Sequence, residues 1–180
     1  MSQYDANGVD ITDTLGHALV AEDLEHKHIH DGYGFRVSKL VSLTNGATAY
    51  LQIKTGARNT HLKQVGLALD LNVVLCTFTE SPVITDGTTA VPVINAHRQA
   101  AVNNPSVNKV FSDPTSVSGG TALDIDLVPA GTLGSRGPAQ LAPSSTEFIL
   151  KPNTNYVLTM TNQGSTTCQL MVKWVWYELP

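Results

Sequence analysis

Leu150-Lys-Pro-Asn-Thr-Asn-Tyr156-Val-Leu-Thr-Met-Thr-Asn162, and after a polar break Gln169-Leu-Met-Val-Lys-Trp174-Val-Trp176-Tyr-Glu178, decide the fold. The stretch reads as a turn, a strand, a second turn and a closing strand. Side chains alternate sides along a strand, so Trp174 and Trp176 share one face and Lys173, Val175 and Tyr177 the other. Two Trp on one face of a last strand suit the core of an all-β sandwich, because Trp is highly buried on average. They could also form a platform for sugar rings. Such a fold serves a binding or building module as readily as an enzyme.

Upstream the same grammar repeats. Phe35, Val37, Leu40, Val41 and Leu43 run into an Asn45-Gly46 turn. Ala49–Lys54 alternates, with Leu51 and Ile53 opposite Tyr50 and Gln52. The apolar run from His61 to Phe78 divides into strands at Leu62–Leu69 and Val73–Thr79, being too β-branched at its centre for a helix. Val91–Asn95 and Val107–Phe111 read as short strands, and 95–119 is otherwise polar. Leu123-Asp-Ile125-Asp-Leu127 alternates, predicting Leu123, Ile125 and Leu127 inward and Asp124 and Asp126 in solvent. Residues 130–145 form a long Gly, Pro and Ser loop, of a length usually tied to function or mobility. Eight or nine short strands with no βαβ pattern predict an all-β fold. The expected architecture is an antiparallel β-sandwich, jelly-roll-like, over residues 33–180, preceded by an extended N-terminal arm, residues 1–32.

With 180 residues, 42% of them hydrophobic, the chain can bury one core. Charged residues are only 14%, against about 25% in ordinary soluble domains. A polar but weakly charged surface suits broad protein contacts. A net charge of −4, with no run of Lys or Arg, argues against nucleic acid as a partner. No apolar run approaches the roughly 20 residues of a membrane helix, and the first residues lack a signal-peptide pattern. A cytosolic protein with two buried free thiols, Cys76 and Cys168, is therefore expected.

His26-Lys-His28-Ile-His30 is the sharpest chemical signal. On a strand its three imidazoles would project from one face and could ligate Zn or Fe in a cupin-like manner. The Glu that a cupin needs a few residues later is missing. The alternative is a polar junction contacting a neighbouring subunit. Asp124 and Asp126 could form a carboxylate pair or a Ca²⁺ site, although a solvated strand face is the ordinary role of such a pair. No nucleophile elbow, catalytic Cys signature or phosphate loop occurs. The expectation is no enzyme, no cofactor and no metal.

Several phrases together resemble a family of tailed-phage virion proteins, the capsid decoration or cement proteins. His28-Ile-His30-Asp-Gly32-Tyr-Gly-Phe35 is similar to the family's His-X-Gly-X-X-Phe opening. His61-Leu62 after the Thr-Gly-Ala loop, Thr85-Asp-Gly87-Thr, and Val93-Ile-Asn95-Ala-His97-Arg98 follow in the family's order. Leu150–Tyr156, Thr161-Asn162 and Trp176-Tyr177-Glu178 resemble its ending most closely. The likeness spans residues 26–180. It departs where Gln99-Ala100 stand in place of a second Asn-Arg. The resemblance implies a structural virion protein on the outer capsid surface that stabilises the shell. It implies the major capsid protein and further copies of itself, as a homotrimer, as partners, and neither nucleic acid nor membrane. The implied location is the virion, assembled in the host cytoplasm. His28, His30, Tyr33, Asn95, Arg98 and Arg136 are the expected capsid or subunit contacts. A receptor- or carbohydrate-binding head or tail fibre module is the alternative.

Overall fold

The computed structural model describes residues 24–69, 72–99, 104–128, 139–140 and 147–179. It is an all-β sandwich entered through one short helix. Helix α1 (Leu24–His30) precedes β1 (Gly34–Leu43), β2 (Thr48–Lys54), β3 (Asn59–Leu69) and β4 (Val74–Glu80). Short strands β5 (Val83–Thr85), β6 (Thr89–Ala90), β7 (Ile94–Asn95), β8 (Lys109–Ser112) and β9 (Thr115–Ser118) follow. β10 (Thr121–Val128), β11 (Ala139–Gln140), β12 (Glu147–Leu150), β13 (Asn155–Asn162) and β14 (Cys168–Leu179) complete the chain.

Most consecutive long strands alternate between two antiparallel sheets. One sheet runs β3-β14-β1-β7, with β11 and β12 both pairing the outer side of β3. The other runs β10-β4-β13-β2-β8-β6. The central order β12-β3-β14-β1 over β10-β4-β13-β2 is the pair of interlocked Greek keys that makes a jelly roll. The expected fold class is thus correct. The extra strands beyond eight or nine are two to four residues long; β6, β7 and β11 add to sheet edges, and β5 pairs with β9 in a small sheet of their own.

The core lies between the sheets. Phe35, Val37, Leu62, Leu170, Val172, Trp174 and Trp176 face Leu51, Ile53, Val74, Phe78, Tyr156, Leu158 and Met160. Burying each large side chain contributes about 1.5–3 kcal/mol. Trp174 and Trp176 are 0% and 1% exposed, so neither offers a ring to a sugar. Cys76 and Cys168 are buried and are not joined in a disulfide.

The motifs nearest the C-terminus work as fasteners. Asn153 turns the chain at φ 50°. The Tyr156 hydroxyl accepts from Lys151 N at 2.8 Å and donates to Glu80 at 2.9 Å. Thr55 Oγ1 donates to the Lys151 carbonyl at 2.7 Å across the sandwich. Buried Asn162 donates to the carbonyls of Leu43, Thr44 and Thr166 and accepts from Gly164 N.

Two expectations fail. On β10, Ile125 and Leu127 are 65% and 62% exposed, and Asp124 and Asp126 are the half-buried pair. A bulge between Ala122 and Asp124 shifts the register, setting Asp124 opposite Phe78 and Asp126 opposite Cys76. One extra residue flips every later side chain to the other face. An inward charge on an edge strand also discourages edge-to-edge association. The second failure is His26–His30, which is helical rather than extended. At about 100° per residue, positions two apart are turned by about 200°, so His28 and His30 point to different sides and the strand-like alignment of three imidazoles is lost.

Candidate functional site

Helix α1 ends in a turn that decides what lies beside it. Tyr33 N donates to the His28 carbonyl at 2.8 Å and Gly32 N to the Ile29 carbonyl at 3.0 Å. With Gly32 at φ 79°, this is a Schellman cap, whose left-handed residue is easiest for glycine. Gly34 then lets the helix touch the sheet. A Cβ there would sit 2.7 Å from Ile29 Cγ1.

Asn95 locks this corner. Its Nδ2 donates to the carbonyls of Gly32 and Asn104, each at 2.8 Å, and its Oδ1 accepts from His97 N at 2.8 Å. Asn104 Nδ2 in turn donates to the Asp31 carbonyl at 3.2 Å. β7 pairs Asn95 with Phe35 and Ile94 with Arg36. A cleft of about 270 Å³ opens between β7 and the 104–108 loop. Phe35, Val93, Ile94, Arg98 and Ser106 contribute apolar floor and polar rim.

Glu178 holds the far wall. Its side chain is fully buried. It accepts from Ser106 Oγ at 2.5 Å, Val107 N at 3.1 Å, Trp176 Nε1 at 3.2 Å and Arg58 Nη1 at 3.4 Å. The Arg58 guanidinium also lies 5.3 Å from the centre of the Tyr33 ring. Glu178 N donates to the Tyr33 carbonyl. The last strand, the entry to β1 and the cleft wall thus meet at one carboxylate.

A second cluster sits on the outer face of the same sheet. The Tyr177 ring is stacked between His28 at 4.9 Å and His61 at 4.6 Å, centre to centre. Glu147 accepts from the Tyr177 hydroxyl at 2.6 Å and pairs with His61 Nδ1 at 2.5 Å. Partial burial raises the Glu147 pKa, but the hydrogen bonds from Tyr177 and His61 outweigh it and hold the carboxyl below its usual range. His28 Nε2 is buried without a hydrogen-bond partner among the described residues. His30 instead faces His97, 6.3 Å between ring centres.

The residues expected at the contact surface therefore converge. His28, His30, Tyr33, Asn95 and Arg98 surround the α1–β7 corner. Asn95 and Tyr33 are inside it as fasteners, while Arg98 and His30 remain exposed. Arg136, His26's side chain and most of the expected arm lie outside the described residues; the arm's described end, residues 24–32, is helix and turn. Among the described residues, no three His, Cys, Asp or Glu gather as metal ligands. The Asp124–Asp126 pair lies at the sheet edge, where burial, then the Asp124 charge, raises the Asp126 pKa.

Sequence reasoning missed the roles of Arg58, Ser106, Glu178, His61 and Glu147. A lone Glu at the inward register of an apolar strand was the available signal for Glu178. No family model, no curated protein and no solved structure matches this chain.

Proposed function

We propose that this protein is a structural virion component that binds the outer surface of a phage capsid and stabilises the shell, as decoration proteins do. The observation carrying this reading is the convergence of His28, His30, Tyr33, Asn95 and Arg98 on one corner. They come from two short segments, 28–33 and 95–98, that the β1–β7 pairing and the Asn95 hydrogen bonds bring together. The weakly charged, Thr- and Asn-rich surface supports the same reading. Assembly as a homotrimer belongs to the proposal.

The mechanism needs no chemistry on a substrate. A protein that binds only the assembled lattice stabilises it by RT ln(1 + [L]/Kd), about 2.7 kcal/mol per site at a hundredfold excess over Kd. The α1–β7 corner is suited to the task because its backbone is pinned by Asn95 and Glu178, so little ordering cost falls on binding. A carbohydrate-binding module is the alternative, and it would need exposed aromatic rings other than the two Trp.

Co-sedimentation with capsids lacking the protein tests the site. Arg98→Glu, at an exposed position, should reduce occupancy about tenfold with the fold intact. Undiminished binding by that variant would place the contact elsewhere.

A further inference from the structure

The outer face of the β3-β14-β1 sheet is basic and partly apolar. Arg36 and Ser38 on β1 pair with Val175 and Lys173 on β14, and Val175 pairs with Lys63 on β3. All of these but Ser38 and Val175 are cationic, whereas Glu147 is the one acidic side chain pointing out from these strands and β12 among the described residues. No hydrogen bond or ion pair engages the side chains of Arg36 or Lys173 among the described residues. Leu40 beside them is 56% exposed, with Ile94 at one margin and Ile149 at the other. Three of the six large exposed apolar side chains therefore lie on a face studded with cations.

Helix α1 lies on this same face, with Ile29 against Gly34 and His28 over Tyr177. The chain before Leu24 is therefore tethered to this face through α1. Residues 1–23 contain Asp5, Asp10, Asp13, Glu22 and Asp23 and not one Lys or Arg. The net negative charge of the protein comes from that segment, since the rest holds eleven bases and ten acids. Val9, Ile11, Leu15, Leu19 and Val20 lie among its acids. Fully extended, 23 residues reach up to about 80 Å, against about 34 Å for the length of β1.

We infer that residues 1–23 dock on this face of their own chain, setting carboxylates against Arg36 and Lys173 and apolar side chains against Leu40. Tethering through α1 gives the segment an effective local concentration in the millimolar range, so weak contacts suffice. The cationic face is then satisfied in the free protein. The inference does not rest on the capsid reading.

The test uses a peptide of residues 1–23 and the chain truncated to begin at Leu24. The truncated protein should bind the peptide one to one, about tenfold more weakly after raising ionic strength from about 0.05 to 0.5 M. Arg36→Glu with Lys173→Glu should weaken it by at least about tenfold. The intact chain should bind the peptide at least about tenfold less well, because its own segment competes. Equal binding by both proteins, no binding by a folded truncated chain, or indifference to charge reversal would overturn the inference. So would protection in the intact chain that grows with protein concentration, since the segment would then cover a neighbour. Should the truncated chain not fold, Leu40→Cys in the intact protein replaces it. Its thiol should label about fivefold faster once Asp10 and Asp13 become Asn. An unchanged rate would refute docking.

Discussion

Glu178→Ala is the perturbation from which most follows. The carboxylate serves four donors with two oxygens, at 2.5–3.4 Å, and its side chain has no solvent exposure. Alanine leaves Val107 N and Trp176 Nε1 facing an apolar hole and Arg58 without its anion. Each orphaned buried donor costs about 1–3 kcal/mol, and breaking a buried ion pair from one side about 3–5 kcal/mol. Arg58 is partly exposed and recovers water, so about 3–5 kcal/mol in total is the reasoned loss. For a chain of this size that is a fall of roughly 6–20 °C in Tm. Glu178→Gln keeps one acceptor oxygen and lets the Ser106 hydroxyl turn to accept, but its amide still opposes one N–H. About 2 kcal/mol is expected for it. Urea denaturation followed by Trp fluorescence reads both. A Glu178→Ala variant within 1 kcal/mol of wild type, or a Gln variant worse than Ala, would refute the reasoning that one carboxylate joins strand, entry and cleft wall.

Gly34→Ala should cost about 1–3 kcal/mol and loosen α1, because its Cβ would meet Ile29; unchanged Tm with unchanged helix protection in hydrogen exchange would contradict that contact. Burial pushes the Cys76 thiol up to about 12 and Cys168 has no exposed surface, so neither should react with an aromatic disulfide reagent at neutral pH until the protein unfolds; fast native labelling would show an open core. Asp126→Asn should stabilise at neutral pH by about 0.5 kcal/mol after allowing for solvent screening. The sign follows from the raised folded pKa: the fold binds that proton more tightly than the unfolded chain, so the advantage shrinks as pH falls through the folded pKa. A variant less stable than wild type at pH 7 would mean that Asp126 has a stabilising partner.

The sandwich was legible because period-two alternation is a local property. Leu51 and Ile53 or Trp174 and Trp176 advertise their face without any knowledge of the partner strand. Ile125 and Leu127 misled for the same reason. Their alternation is perfect, and only the bulge against β4, a pairing event, turns them to solvent. The His26–His30 segment misled because three alternating His fit a strand, although Lys27, His28 and His30 followed by Gly32 are also the signature of a helix end, and the hydrogen bonds show which pattern governs. The candidate corner was legible in its members but not in its roles. Asn95 looks like a contact residue and is a fastener. Glu178 looks like a polar end of a strand and is the buried node. The scattered Lys and Arg gave no basic run in sequence, yet register sets Arg36, Lys63 and Lys173 on one face.

The most direct test of the account is calorimetry of expanded capsids assembled without this protein, before and after its addition. The account expects binding that saturates at a fixed number of copies per shell and a higher melting temperature for the decorated shell, growing with free protein concentration. Absence of binding, or saturable binding that leaves shell melting unchanged, would contradict it.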